Sequence, residues 1–224
     1  CGNQRIKILR ALKEDIIQDA SVLFFDFDGV IKESVSVKAD AFEQLFLPHS
    51  IEVAQQVREH HEANSGMSRY EKLPIYLALA GLKVTAKHVA AYSQRFSDLV
   101  KQQVIDSDWI DGVESFLHTN PFDQTFFIVT ATPQSEIEEI IDAIGLTDRF
   151  SSIVGSPTKK DKAIHDLIKQ YNIDASTSIM IGDAMADYHA AVKNDVAFVL
   201  RITDLNKPLQ ERICCPIIND FIEL

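Results

Sequence analysis

The chain has 224 residues and a formal net charge of −11, from 22 Lys and Arg against 33 Asp and Glu. Hydrophobic residues at 46 % and charged residues at 25 % are ordinary for a globular protein and wrong for a disordered one. No apolar run approaches the ~20 residues that span a bilayer, and the acidic balance without any Lys/Arg-rich run argues against a nucleic-acid partner.

In chain order, Gln4–Asp19 places Ile6, Leu9, Leu12 (or Ile16) and Ile17 among Lys, Arg and Glu and reads as an amphipathic helix. Ser21–Val30 is an apolar run ending in Asp-Phe-Asp-Gly, a buried strand with two acids at its end. From Lys32 to about Asp106 the helical period dominates, over Val37–Leu47, Ile51–His61, Arg69–Ala80 and Ala86–Val104, with Pro48 and Asn64-Ser65-Gly66 as punctuation. After Asp111-Gly112, strands at Thr125–Thr130, Ser152–Val154, Ser178–Ile181 and Ala197–Leu200 alternate with helices at Gln134–Ile144, Lys160–Tyr171 and Ala186–Lys193. Such alternation means βαβ units on a parallel sheet. The expected fold is therefore α/β, a Rossmann-like parallel sheet core of residues 1–31 and 106–224 with an inserted α-helical cap domain at 32–105.

The chemistry gathers at strand ends. Asp26 and Asp28, two apart, face the same way if the strand continues regularly, and Gly29 lets the chain turn. Two close carboxylates call for a cation or a proton between them. A bare pair of this kind reads equally well as a polar turn. Asp183 and Asp187 repeat the design after the apolar Ile179–Gly182, and four-residue spacing puts both on one face if a helix follows. Val129-Thr130-Ala131-Thr132 adds hydroxyls at a third strand end, and Gly155-Ser156-Pro157-Thr158-Lys159-Lys160 adds lysines after a fourth. Acids, a hydroxyl and an ammonium together describe metal-assisted phosphoryl transfer.

These four segments, in this order, resemble the motifs of the haloacid dehalogenase superfamily, in its phosphatase-like branch with a helical C1-type cap. The resemblance implies that Asp26 is a nucleophile forming an aspartyl-phosphate and that Asp28 is the acid and base. Asp26, Asp28 (through its backbone carbonyl), Asp183 and Asp187 would hold Mg²⁺. Thr130 and Ala131 would bind the phosphoryl group, and Lys160 would neutralise charge, with Lys159 and Lys162 near enough to compete. The acid at position 28 sets the chain apart from dehalogenase and phosphonatase relatives. The implied function is a Mg²⁺-dependent phosphatase of a small phosphorylated metabolite, a sugar or hydroxy-acid phosphate. A phosphomutase of the same fold and a module that senses a phosphorylated ligand are the alternatives.

In the helical insertion, Arg69 and Asn64 are candidates for substrate contact, with Lys72 behind them. The competing reading makes Ser68 and Glu71 a capping box and turns Arg69 to water. His60-His61 reads as a surface pair in preference to a zinc site, Trp109 as packing, and His189 as a helix-surface group. Cys1, Cys214 and Cys215 make no disulfide framework, which suits a reduced, cytoplasmic setting. The chain begins at Cys1 without an initiator Met, so a trimmed or excised piece is favoured over a lipidated N-terminus. Fusion to another domain and a removed targeting segment stay open, and the oligomeric state is not legible.

Overall fold

A computed structural model describes residues 16–222 and 224. Most of the helix expected over Gln4–Asp19 lies outside the described residues, and 16–18 are helical. β1 (Val22–Phe25) runs through the middle of a six-stranded sheet and is followed by four helices, α1 (Val35–Phe46), α2 (Ile51–Ala63), α3 (Arg69–Leu79) and α4 (Ala86–Asp106). A short α5 (Val113–Thr119) leads into β2 (Thr125–Pro133), α6 (Gln134–Ala143), β3 (Ser152–Ser156), α7 (Lys160–Tyr171) and β4 (Ser178–Gly182). The chain closes with α8 (Met185–Lys193), β5 (Ala197–Arg201), α9 (Lys207–Arg212) and β6 (Ile217–Ile218). The strand order is β3-β2-β1-β4-β5-β6, and every pairing is parallel. The sheet is thus of the expected Rossmann-like class, and α5, α9 and β6 are elements that the hydrophobic pattern did not reveal.

Alternation along β1 builds two cores. Leu23 and Phe25 face one side with Ile128, Ile137 and Ile141, while Val22 and Phe24 face the other with Phe127, Ile164, Ala190 and Ala191. A parallel sheet buried on both faces needs apolar residues at successive positions, which is why β1 reads Val-Leu-Phe-Phe. Full burial of each such side chain contributes roughly 1.5–3 kcal/mol.

The four-helix segment extends the first of these cores. Phe42 and Phe46 of α1 meet Tyr76 of α3 and Phe96 and Tyr92 of α4, with Phe42 and Phe96 stacked at 3.9 Å between ring centroids. α2 and α4 are capped by Ser50 and Thr85, whose hydroxyls accept from Val53 N and His88 N. Ser68 and Glu71 do form the capping interaction at the start of α3, the backbone N–H and hydroxyl of Ser68 donating to the Glu71 carboxylate at 3.3 and 3.1 Å. Trp109, where the chain returns to the sheet, packs on the core and carries Lys32 Nζ 4.5 Å from its ring centroid. Among the described residues no helix is long and apolar enough to cross a membrane.

Candidate active site

The carboxyl ends of β1, β2 and β4, adjacent in the sheet, bring the strand-end motifs together. β1 stops at Phe25, so Asp26 and Asp28 lie in the turn after it and not on a regular strand. The Phe27 backbone N–H donates to Asp26 Oδ1 at 2.7 Å. Gly29 adopts φ +75°, and a Cβ there would come within 2.6 Å of Asp183 Oδ2, so the turn requires glycine twice over. Asp183 and Asp187 also differ from expectation. Helix α8 begins at Met185, so Asp183 sits in the turn before it and only Asp187 is helical. The pair still converges because Gly182 lacks a side chain, where a Cβ would meet Asp187 Cβ at 2.3 Å. Asn206, a residue that the sequence did not suggest, donates to the Asp183 carbonyl at 2.9 Å and holds this turn.

Asp26, Asp183 and Asp187 are all buried and offer oxygens within 4.8 Å of one another. Burial raises the Asp26 carboxyl to about 7, opposed by Lys160 and reinforced by the charges of Asp187 and Asp28. Burial, then Asp26 and Asp187, likewise hold Asp183 well above the usual carboxylate range. Lys160 lies between two of these acids, 2.5 Å from Asp187 Oδ1 and 2.7 Å from Asp26 Oδ2. Burial pulls its amine down, but Asp187 and Asp26 outweigh that and raise it above the ordinary lysine value. Lys159 and Lys162 are largely exposed and pair with Glu71 and Asp166 instead. Three buried acids against one lysine leave negative charge unmatched, and an all-oxygen site of this kind suits a hard divalent cation.

The Asp28 carboxylate lies outside that triad. It accepts from Ser34 Oγ (2.6 Å), Lys38 Nζ (2.5 Å) and Thr132 Oγ1 (3.2 Å). Burial would raise it, but the charge and hydrogen bond of Lys38, with those of Ser34 and Thr132, hold it below its ordinary value. Ser34 stands at the N-cap of α1 yet makes no capping bond there, its hydroxyl being committed to Asp28. Thr130 is buried within β2, which runs on to Pro133 past the expected end, and accepts from the Thr132 N–H at 3.2 Å. Thr130, Ala131, Asn64 and Lys160 line an open groove of about 600 Å³. Asn64 itself donates to the His60 carbonyl at 2.9 Å.

A second, smaller cavity of about 40 Å³ lies between the strand ends and the helices, lined by Asp26, Asp28, Lys38, Lys72, Ala131 and Asp183 among others. Arg69 also borders it but does not face water. Its guanidinium forms a two-pronged pair with Glu136 at the start of α6 (2.8 Å for one prong) and donates to Ser97 at 2.5 Å. The surface reading of the two histidines needs the same correction. His61 is buried and bonded to Lys72 at 2.9 Å, and His60 reaches the Tyr76 hydroxyl at 3.1 Å. His189 is exposed, as its reading required.

The family model described as haloacid dehalogenase-like hydrolase matches residues 23–200. A curated relative, the phosphoglycolate phosphatase of Colwellia psychrerythraea, is 27 % identical over 187 residues, covering 78 % of this chain and 81 % of that protein. Among solved structures, CbbY from Rhodobacter sphaeroides superimposes with a TM-score of 0.74 at 14 % identity, covering 92 % of this chain and 96 % of that one. The β-phosphoglucomutase of Clostridium difficile gives 0.73 at 19 % identity, with 92 % and 93 % covered. At these identities the two structures establish the fold.

Proposed function

The chain belongs to the haloacid dehalogenase-like hydrolases, and from that premise we propose that it is a cytoplasmic, Mg²⁺-dependent phosphatase that acts on a small phosphorylated metabolite. The observation that carries this reading is the junction of Asp26, Asp183, Asp187 and Lys160 at the sheet's carboxyl edge, with Asp28 beside it. The phosphoglycolate phosphatase relative supports the reaction class and is compatible with a sugar or hydroxy-acid phosphate as substrate.

In this reading Asp26 attacks phosphorus, the ester P–O bond breaks, and a proton passes from Asp28 to the departing oxygen. Water then attacks the aspartyl-phosphate as Asp28 takes its proton, and the Asp26–phosphorus bond breaks to release phosphate. Asp28 rests ionised against Lys38, which suits it as the base. For the acid step the proton that Asp28 passes on is taken up from solvent or from the monoanion of the phosphate ester. Thr130 and the Ala131 amide bind phosphoryl oxygens, and Lys160 favours the ionised form of Asp26 and offsets charge on the phosphoryl group. Asp26, Asp183 and Asp187, with the Asp28 backbone carbonyl, would hold Mg²⁺, which supplies charge neutralisation at the phosphoryl oxygens. Residues 32–105 act as a cap over the core of 1–31 and 106–224, excluding water and restricting the substrate to a small one.

Phosphate release from a panel of phosphorylated metabolites, with Mg²⁺ or with EDTA, tests the proposal. Release should need the cation and vanish in Asp26→Asn. Release that survives this substitution contradicts it.

A further inference from the structure

Lys72 lies on the buried face of α3, 1 % exposed. Among the described residues no carboxylate stands within ion-pair distance of it, and the hydrogen-bond partner of its ammonium is His61 Nδ1 at 2.9 Å. The Phe42 ring lies 6.0 Å from Nζ. The other buried cations near the catalytic acids are matched: Lys38 by Asp28 and Arg69 by Glu136 at the cavity, and Lys160, on the neighbouring groove, by Asp26 and Asp187. Lys72 alone among these four has no acid of its own.

A buried cation without a counter-charge destabilises the fold unless a ligand brings one. Burial, with Lys38 next in weight, pulls the Lys72 amine down to about 7. Burial and Lys72 hold His61 well below the usual histidine value, so its ring is neutral and Nδ1 accepts. An ammonium carries three donors, and with one on His61 two are left for an oxyanion. Lys72 lines the same small cavity as Asp26, Asp28 and Asp183, so a group bound there sits beside the site of phosphoryl transfer. The cavity, about 40 Å³ against about 600 Å³ for the neighbouring groove, calls for a small anionic group, and a carboxylate is the smallest that a phosphate ester carries. Arg69, the residue that the sequence offered for this task, is already engaged by Glu136 and Ser97.

The geometry points to Lys72, oriented by His61, as the residue that receives a carboxylate carried by the substrate, which makes the substrate a short phosphate monoester of a hydroxy acid. This rests on the phosphatase reading and narrows its substrate class.

The test compares 2-phosphoglycolate with 2-hydroxyethyl phosphate, in which a neutral hydroxymethyl group replaces the carboxylate. Wild type should favour the carboxylate ester in kcat/KM by about 10- to 100-fold, the range expected for a charge-assisted hydrogen bond. Lys72→Met should bring that ratio near one, and Lys72→Arg should restore part of it. The ligand-free Lys72→Met protein should also melt at a higher temperature than wild type, whereas a lysine needed only for folding would give a lower one. A wild-type ratio near one, or a ratio that Lys72→Met leaves intact, overturns the inference. Should Lys72→Met fail to fold, Lys72→Gln is read in the same way.

Failure of the phosphatase reading shows itself separately, as no turnover of either ester. Calorimetric titration of the same two compounds into wild type and Lys72→Met then decides. Tighter binding of 2-phosphoglycolate that is lost in the variant supports the subsite, and equal binding of the two, or binding of neither, overturns it.

Discussion

Lys160 and Lys72 are both lysines, both almost wholly buried, and both stand near Asp26, yet their charges follow opposite rules. Lys160 is clasped by Asp26 and Asp187 and raised above the ordinary lysine value. Lys72 meets a neutral imidazole and an aromatic face and falls to about 7. The difference is supplied by the elements that carry them. Lys160 opens α7 at the sheet edge, where strand ends converge, while Lys72 projects from an inserted helix whose other buried residues are mostly apolar. The core thus brings its own counter-charges, and the helical insertion presents a cation without one.

The largest effect should come from removing the acid that Lys160 serves. Asp26→Asn should lower phosphate release on the order of 10⁴-fold or more, as loss of a nucleophile does, measured by steady-state assay at saturating Mg²⁺. Next, Arg69→Ala removes a cation that is matched, leaving Glu136 buried and unpaired. It should destabilise the protein by about 3–5 kcal/mol in urea unfolding, the opposite sign to Lys72→Met. Lys160→Met should reduce kcat by roughly 10²–10³-fold, the usual scale for a preorganised charge at a phosphoryl group, and should lower the melting temperature of the metal-free protein. A melting temperature that rises instead would erase the contrast between the two lysines.

The smallest effect is a pH dependence. Folded Lys72 loses its proton near pH 7, and an unfolded lysine near pH 10.4. Between those values the unfolded chain binds more protons, so this residue makes the ligand-free protein gain stability as the pH rises, by at most about 1.4 kcal/mol per pH unit. Urea titrations at several pH values should show a shallower rise in Lys72→Met.

Much of this was legible in the chain. The four strand-end segments could be read because short apolar runs ending in Asp, Thr or Lys need only local sequence. Lys160–Tyr171 even carries the expected bounds, since Lys159 ends the loop and αL Asn172 stops the helix. The turns around Asp26 and Asp183 were misjudged because strand and helix ends depend on what packs there, here Gly29 against Asp183 and Gly182 against Asp187. Lys38, Lys72 and Glu136 were missed or undervalued for one shared reason. Each sits on the apolar stripe of its helix, Lys38 with Val35, Ala39 and Phe42, Lys72 with Leu73 and Tyr76, and Glu136 with Ile137 and Ile140. A charge on a core-facing stripe is itself a signal of a buried partner or a waiting site. Which partner it meets is a long-range matter that one helix cannot state. Arg69 and Glu136, for example, are brought together from α3 and α6.

The central claim is that Asp26 becomes phosphorylated during turnover. Quenching the reaction with acid within its first turnovers and mapping phosphorylated peptides by mass spectrometry addresses it directly. The account predicts an acid-stable, hydroxylamine-sensitive phosphate on the peptide containing Asp26, absent in Asp26→Asn. Phosphate release with no label on that peptide, or with the label on another residue, would contradict it.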